Sequence, residues 1–167
     1  MAQGVFIGIG SNIGDKCSSC RTSINHILSD PRAEFSALSS FYETSPVSPV
    51  PQESFINCVL RISWNGSPLE LLELLNHIEA TMARVRDIPQ GPRSIDLDIL
   101  LMDDLVLESE RLTIPHPRLH ERKFTLVPLL EIAPLLSHPR LRRPLKDFLD
   151  ALGPEQSVEV FKGRASA

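Results

Sequence analysis

Two acidic side chains separated by a single residue are the clearest chemical feature of the sequence. Asp96 and Asp98 alternate with the apolar residues Ile95, Leu97 and Ile99. Because side chains alternate between the faces of a strand, both carboxylates would project from one face, roughly 7 Å apart at ~3.3 Å per residue. Paired carboxylates suit hard cations such as Mg²⁺ and can serve two metal ions. Such pairs also occur on exposed strand edges, so the spacing alone leaves both interpretations open.

Arginine dominates the cations, with thirteen Arg against four Lys. Arg84, Arg86 and Arg93 shortly precede the two acids. A guanidinium group holds phosphate through two hydrogen bonds, and phosphoryl transfer depends on positioning and charge neutralisation. The pattern therefore favours phosphate chemistry, although cations that end a helix would explain Arg84 and Arg86 equally well.

The glycine-rich segment near the N-terminus matches neither common phosphate-binding loop. Gly8, Gly10 and Gly14 miss the G-x-G-x-x-G spacing by one residue, and the Gly-Lys-Ser/Thr end of a P-loop is absent. Any ATP must therefore be bound in another way.

Histidine and cysteine pairs give weaker indications. His116 and His120 have a zinc-like spacing, but neither a cysteine nor a third histidine lies nearby, and Pro117 interrupts a shared helical face. Cys17 and Cys20 form a C-x-x-C pair without the strand that normally precedes a redox motif. We expect two buried or half-buried thiols there.

Composition limits the class of protein. The chain has 167 residues, which predicts a single domain over residues 1–167. A net charge of −4 argues against a nucleic-acid partner, and neither a membrane-spanning run nor a signal peptide is evident. Three cysteines do not make a disulfide framework, so we expect a reduced, cytoplasmic protein.

Hydrophobic periodicity predicts strand, helix, strand, strand, helix, strand. The strands are residues 5–10, 35–44, 55–64 and 95–101, with a turn at 103–104 that we interpret as a hairpin. The first helix is capped by Asp15, and the second by Ser67 with Pro68 and Glu70. Short helices follow near 123–131 and 144–152. The three prolines of segment 45–51 predict a loop.

This order is typical of a ferredoxin-like α+β fold, an antiparallel central sheet with helices packed on one face. If Ile95, Leu97 and Ile99 face the helices, Asp96 and Asp98 face the other side. The same alternation places Phe55, Asn57, Gly8 and Gly10 with the acids. We expect the substrate site on that face.

The motifs resemble those of the 6-hydroxymethyl-7,8-dihydropterin pyrophosphokinases, a folate-pathway kinase family, along nearly the whole chain. The matching stretches are Ile7-Gly-Ile-Gly-Ser-Asn-Ile-Gly14, Ser39-Ser-Phe-Tyr-Glu-Thr44, Phe55-Ile-Asn57, Gly91-Pro-Arg-Ser-Ile-Asp-Leu-Asp-Ile99 and Arg111-Leu-Thr-Ile-Pro-His116.

The resemblance implies an enzyme that transfers pyrophosphate from ATP to the hydroxymethyl group of 6-hydroxymethyl-7,8-dihydropterin, giving AMP. It implies two Mg²⁺ ions bound with ATP by Asp96 and Asp98, with Arg84 and Arg93 also catalytic. The pterin slot falls on Thr44, Ser45, Val47, Phe55, Asn57 and Phe124. The ATP contacts fall on Glu79, Arg84, Arg86, Arg93, Ile99, Arg111, Thr113, His116 and Arg122. A monomer that passes its product to dihydropteroate synthase is expected.

The chain departs from the family pattern at four places. Gln90 stands where a bulky aromatic residue is common, and the loop Asp87-Ile-Pro-Gln90 is one residue short. Ser45 replaces a frequent proline, and Phe55 a frequent tyrosine. A nucleotide or pterin sensor with the same fold is an alternative function, because fold alone does not determine activity. A two-metal phosphohydrolase would need a third metal ligand, which the sequence does not suggest.

Overall fold

The computed structural model describes residues 2–46, 51–83 and 94–162. The strands in these ranges are β1 (Gln3–Ser11), β2 (Ala33–Leu38), β3 (Tyr42–Thr44), β4 (Phe55–Trp64), β5 (Asp96–Met102), β6 (Leu107–Glu108), β7 (Thr113–Ile114) and β8 (Val158–Val160). The helices are α1 (Lys16–Leu28), α2 (Pro68–Met82), α3 (Lys123–Ile132) and α4 (Leu145–Ala151), with a short 3-10 helix at Leu119–Glu121. None of these helices is long and apolar enough to cross a membrane.

The main sheet is antiparallel in every pairing and has the strand order β5-β1-β4-β3-β8, with β2 also paired to β4. β2 and β3 are the two halves of the single strand expected over residues 35–44. The split lies at Ser39, whose hydroxyl accepts a hydrogen bond from the Val59 N–H at 2.8 Å. A side chain thus takes the place of a ladder carbonyl, and the strand is interrupted there.

The helices α1 and α2 cover one face of this sheet, as expected. Both begin at the predicted caps: Asp15 accepts from the Ser18 N–H at 3.1 Å, and Ser67 and Glu70 form a reciprocal capping box. The inward residues of β4 are Ile56, Cys58, Leu60, Ile62 and Trp64, and none is more than 2% exposed. The chain order from β1 to β5 is strand, helix, strand (as β2 and β3), strand, helix, strand. Together with the antiparallel pairing, this order gives the expected ferredoxin-like architecture.

The second face is only partly open, whereas the sequence had suggested an uncovered face. The helix α3 packs on it with α4 packed beside α3, and a second core forms around Val59, Leu101, Leu126 and Leu129. Val59 and Leu101 are almost fully buried there. The substrate site must therefore lie on the part of the face that α3 and α4 leave uncovered.

Two further expectations need correction. Asp103 and Asp104 form a turn, but not a hairpin, because the next strand, β6, pairs with β7 and not with β5. The turn is held by Asp103, which has a positive φ of 46° and whose carboxylate accepts from the Gly4 N–H. The C-terminal strand β8 was not predicted, and it pairs with β3.

Candidate active site

A pocket of about 160 Å³ opens on the uncovered part of the second face. It lies between β1, β3, β4 and β5 on one side and the start of α3 on the other. Its lining residues are Gly8, Ile9, Gly10, Thr44, Ser45, Phe55, Asn57, Cys58, Val59, Asp96, Asp98, Leu100, Arg122, Phe124, Thr125 and Gln156. Ten of them are residues that the sequence and the family resemblance had indicated.

Glycine forms the floor of this pocket. Gly10 pairs with Asn57 on one side and Asp96 on the other, and Gly8 pairs with Asp98. A Cβ atom at Gly10 would lie 2.6 Å from Asn57 Nδ2, closer than a real Cβ contact allows. The absence of a side chain at Gly10 therefore leaves the room that the Asn57 amide occupies.

The amide of Asn57 is held by its neighbour on β3. The Thr44 hydroxyl donates to Asn57 Oδ1 at 2.7 Å, and both residues are buried. Because Oδ1 is engaged by Thr44, the Nδ2 group lies towards Gly10 and the pocket floor. Asn57 therefore presents a hydrogen-bond donor to a ligand.

Two aromatic rings contribute to the walls. Phe55 extends from the start of β4, and Phe124 lies in the first turn of α3; both are half-buried. The Arg122 guanidinium lies over the Phe124 ring, 5.5 Å from its centroid. Two rings on one pocket suit a flat heterocycle, since aromatic contacts add about 0.5–1.5 kcal/mol beyond buried area.

Asp96, Asp98 and Arg122 line the same pocket, and His116 interacts with Asp98 and Arg122 beside it, so that these residues form a charged cluster. Burial lowers the pKa of Arg122, while Asp98 and Asp96 oppose this shift. Burial also lowers the pKa of His116, with Asp98 raising it and Arg122 and Arg118 lowering it further. Asp98 therefore interacts electrostatically with both His116 and Arg122, and it shares the pocket lining with Arg122. The sequence-predicted acids and two of the predicted ATP ligands therefore converge.

His116 is oriented by the backbone. Its ring Nδ1 atom accepts from the Arg118 main-chain N–H at 3.1 Å, and the main-chain N–H of His116 donates to the Leu100 carbonyl. An accepting Nδ1 leaves Nε2 as the position of the proton in the neutral ring. Nε2 is thus a donor suited to a phosphate oxygen.

The carboxylate of Glu79, near the end of α2, accepts a hydrogen bond from the strand that carries the acids. The Leu97 N–H donates to Glu79 Oε2 at 2.7 Å, between Asp96 and Asp98 in sequence. β5 is an edge strand of the main sheet, so this carboxylate satisfies a main-chain donor that would otherwise face outwards. Glu79 therefore fixes the strand on which both acids lie.

Glu131 ties α3 to β3. It accepts from the Ser40 N–H at 2.9 Å, from the Ser40 hydroxyl at 2.7 Å and from the Tyr42 hydroxyl at 2.7 Å. Burial, together with this carboxylate, raises the pKa of Tyr42 to about 12. Since α3 carries Phe124 and β3 carries Thr44, Glu131 joins two walls of the pocket.

Several predicted ATP contacts lie outside the pocket lining. Arg111 is largely exposed and forms an ion pair with Glu73 at 3.7 Å. Thr113 is half-buried in β7. Ile99 is only 4% exposed and packs in the helix-facing core, so a contact with ATP would have to come from its main chain. Val47, Arg84, Arg86 and Arg93 lie outside the described residues, as does the loop 87–90.

Sequence reasoning missed several residues of the lining. Leu100 and Val59 fall on the face that strand alternation predicts for the site, but neither was named as a site residue. Thr125 accompanies Phe124 on α3. Gln156 belongs to the segment before β8, which carries no strong periodic signal.

The donor set fits magnesium better than zinc. Asp96 and Asp98 supply oxygen ligands, and Mg²⁺ is commonly held by one or two carboxylates plus substrate phosphates and water. In the described part of the chain, no group of three or more His, Cys, Asp or Glu side chains could hold a metal. His120 instead contacts the rings of His138 and Phe148. The expectation of buried thiols is confirmed, because Cys17 and Cys20 are both buried and free.

Paired carboxylates, a half-buried guanidinium and two aromatic rings on a ferredoxin-like sheet suit an enzyme class that transfers phosphoryl groups to a flat heterocyclic substrate. Comparison with known proteins gives the family. The sequence profile of the 7,8-dihydro-6-hydroxymethylpterin-pyrophosphokinase (HPPK) family matches residues 6–134.

Individual relatives agree with this match. The Bacillus subtilis 2-amino-4-hydroxy-6-hydroxymethyldihydropteridine pyrophosphokinase is 42% identical, over 96% of this chain and 91% of its own length. The Pseudomonas aeruginosa enzyme of the same name is 36% identical, over 98% and 99%. The folic acid synthesis protein fol1 of Schizosaccharomyces pombe is 42% identical, but this chain spans only 21% of it.

The solved structures agree on the fold. The chain aligns with Plasmodium falciparum HPPK-DHPS at a TM-score of 0.70 and 14% identity, over 90% of this chain and 45% of that one. The ferredoxin-like class is thereby confirmed. The chain belongs to the HPPK family and is an ATP-dependent pterin pyrophosphokinase of folate biosynthesis.

Proposed function

We propose that the pocket binds the dihydropterin and that the adjoining charged cluster binds the triphosphate of ATP. The observation that carries this assignment is the common pocket of Phe55, Asn57, Phe124, Asp96 and Asp98. The heterocycle lies between the two rings, and its edge meets Asn57 with the main chain of Thr44, Ser45 and Val47. The hydroxymethyl group then points towards the acids.

The chemistry is an in-line displacement. The substrate hydroxyl oxygen forms a bond to the β-phosphorus of ATP, the bond from that phosphorus to the α,β-bridging oxygen breaks, and AMP leaves. The hydroxyl proton passes to solvent. Asp96 and Asp98 would hold two Mg²⁺ ions, which supply charge neutralisation and lower the pKa of the attacking alcohol.

The cationic residues neutralise the remaining negative charge of the phosphates. Arg122 and His116 Nε2 donate to phosphate oxygens beside Asp98, and Arg84 and Arg93 stabilise the moving group and the leaving α-phosphate. Glu79, Arg86, Ile99, Arg111 and Thr113 complete the ATP site. In that group Glu79 also holds β5 through its bond to Leu97.

The test is product analysis with a matched pair of acid variants. Purified protein with Mg²⁺, ATP and the hydroxymethyl-dihydropterin should yield AMP and the pterin pyrophosphate. Asp98→Asn should lower kcat by several orders of magnitude because a metal ligand is lost. Asp104→Asn, an exposed acid in the turn after the same strand, should retain turnover.

Other outcomes would favour other functions. Formation of ADP or inorganic phosphate would contradict pyrophosphoryl transfer and would point to a phosphohydrolase. Binding of both substrates without turnover would point to a sensor. Near-normal kcat in Asp98→Asn would remove the metal role of that residue.

We also propose a single-domain monomer in the cytoplasm that hands its product to a dihydropteroate synthase. The HPPK-DHPS chains among the similar structures support the last step, and the three cysteines, all of them free thiols, support a reducing compartment. Light scattering after size exclusion should give the mass of one chain; a dimer mass would contradict the monomer.

A further inference from the structure

The segment before β8 forms part of the pocket wall. Gln156 lines the pocket although it lies more than fifty residues along the chain from every β-strand residue of the lining, and its segment is brought there by the pairing of β8 with β3. Its side-chain Nε2 donates to the Ser45 carbonyl at 2.8 Å. Gln156 is half-buried, and its amide lies between the Ser45 carbonyl and the pocket.

Ser45 is bonded to this segment by its main chain and its side chain. The Ser45 N–H donates to the Ser157 carbonyl at 3.0 Å, and the Ser157 N–H donates to Ser45 Oγ at 3.0 Å. A proline at position 45 would have neither an N–H nor a hydroxyl. Proline at this position would therefore remove two of the three hydrogen bonds between Ser45 and residues 156–157.

Pairing of β8 with β3 extends the same attachment. Thr44 pairs with Val158, and the Phe161 N–H donates to the Phe41 carbonyl at 2.8 Å. The residues that follow Gln156 and those that precede Ser45 are thus fixed by main-chain hydrogen bonds. The position of Gln156 in the wall is determined by backbone pairing and does not depend on its side chain alone.

Gln156 retains hydrogen-bonding capacity after its bond to Ser45. A glutamine amide has two N–H donors and an acceptor oxygen, and one donor is used by the Ser45 carbonyl. A pterin presents alternating donors and acceptors along its edge. We propose that Gln156 is a specificity-determining contact for the pterin heterocycle, held in place by Ser45; this inference rests on the proposed placement of the pterin.

The test compares Gln156→Ala with Glu155→Ala, an exposed neighbour outside the lining. Loss of one neutral hydrogen bond predicts a KM for the pterin about three- to tenfold higher, with kcat and the KM for ATP within twofold of wild type. Gln156→Glu should raise the pterin KM more, because a carboxylate would face the Ser45 carbonyl oxygen without a donor. Ser45→Pro should raise it too, since the wall loses two of its hydrogen bonds.

The outcomes separate this inference from the assignment of the pocket. Wild-type values for both KM constants in Gln156→Ala would overturn the contact. A parallel rise in the KM for ATP, or a fall in kcat alone, would overturn it as well, because a general structural defect would not act on the pterin selectively. Wild-type protein and Glu155→Ala that both fail to form AMP would instead overturn the proposed function.

Discussion

Replacing Thr44 with valine tests whether one hydrogen bond organises the pterin pocket. The Thr44 hydroxyl donates to Asn57 Oδ1 at 2.7 Å, and the two residues are 2% and 9% exposed. Valine has nearly the same shape but no donor, so the Asn57 carbonyl would remain buried without this partner. Such a loss costs about 1–3 kcal/mol in the free energy of unfolding. At roughly 2–4 °C per kcal/mol for a chain of this size, the melting temperature should fall measurably.

The same substitution should weaken pterin binding selectively. With Oδ1 no longer engaged by Thr44, the amide can turn over, and Nδ2 is no longer held towards the floor at Gly10. The Asn57 donor would then be correctly oriented only part of the time, and its carbonyl would be desolvated without a partner. We therefore expect the pterin affinity to be at least tenfold weaker. ATP affinity should stay near the wild-type value, because the charged cluster does not include Thr44.

The assays are thermal unfolding and calorimetric titration with each substrate. Thr44→Ser is the matched control, since it keeps the hydroxyl and removes only a methyl group. Serine should restore most of the pterin affinity. If Thr44→Val had the melting temperature and the pterin affinity of the wild type, the hydrogen bond would not be what holds Asn57.

Two further substitutions test the floor and the α3 attachment. Gly10→Ala places a Cβ 2.6 Å from Asn57 Nδ2, so the amide must move, and calorimetry should find pterin affinity reduced at least tenfold; unchanged affinity would contradict the close approach. Burial raises the pKa of Glu131, but hydrogen bonds from Ser40 and Tyr42 outweigh it and lower the pKa. A depressed folded-state pKa gives stability that is present above the unfolded value of about 4.3 and is lost as pH falls through the folded value. Urea unfolding should therefore find wild type more stable than Glu131→Gln at pH 7, with a gap that narrows below pH 4; a gap of constant size would refute the linkage.

The features predicted from sequence are those specified by short-range rules. The span of β4 was predicted to the residue, because its inward and outward side chains alternate from Phe55 to Trp64 and Asn65-Gly66 follows. The start of α2 followed from the capping box of Ser67 and Glu70. Strand alternation also placed Asp96 with Asn57 on one face, which pairing through Gly10 bears out.

The features that were missed depend on tertiary contacts. The helix α3 covers part of the second face of the sheet. It is attached there by hydrogen bonds between Glu131 and Ser40, which lie about ninety positions apart in the chain. β8 has three residues and an exposed side chain at Val160, so its hydrophobic pattern is weak, and its pairing with β3 is what defines it. Sequence periodicity predicts the face of the sheet on which a side chain lies, but it does not predict which distant element packs on that face.

The transition from core to active site occurs within two residues of β1. At Gly8, a Cβ would contact Leu100 at 3.2 Å, and Leu100 belongs to the core beneath α3; at Gly10, the nearest side chain is the polar Asn57. The helix α3 spans the same boundary, since Leu126 packs in that core and Phe124 lines the pocket. A ligand held against Phe124 therefore contacts the helix that covers the second face. Because such a ligand binds the folded chain, it stabilises the folded state, including the packing between α3 and the sheet, by an amount that grows with the ratio of its free concentration to Kd.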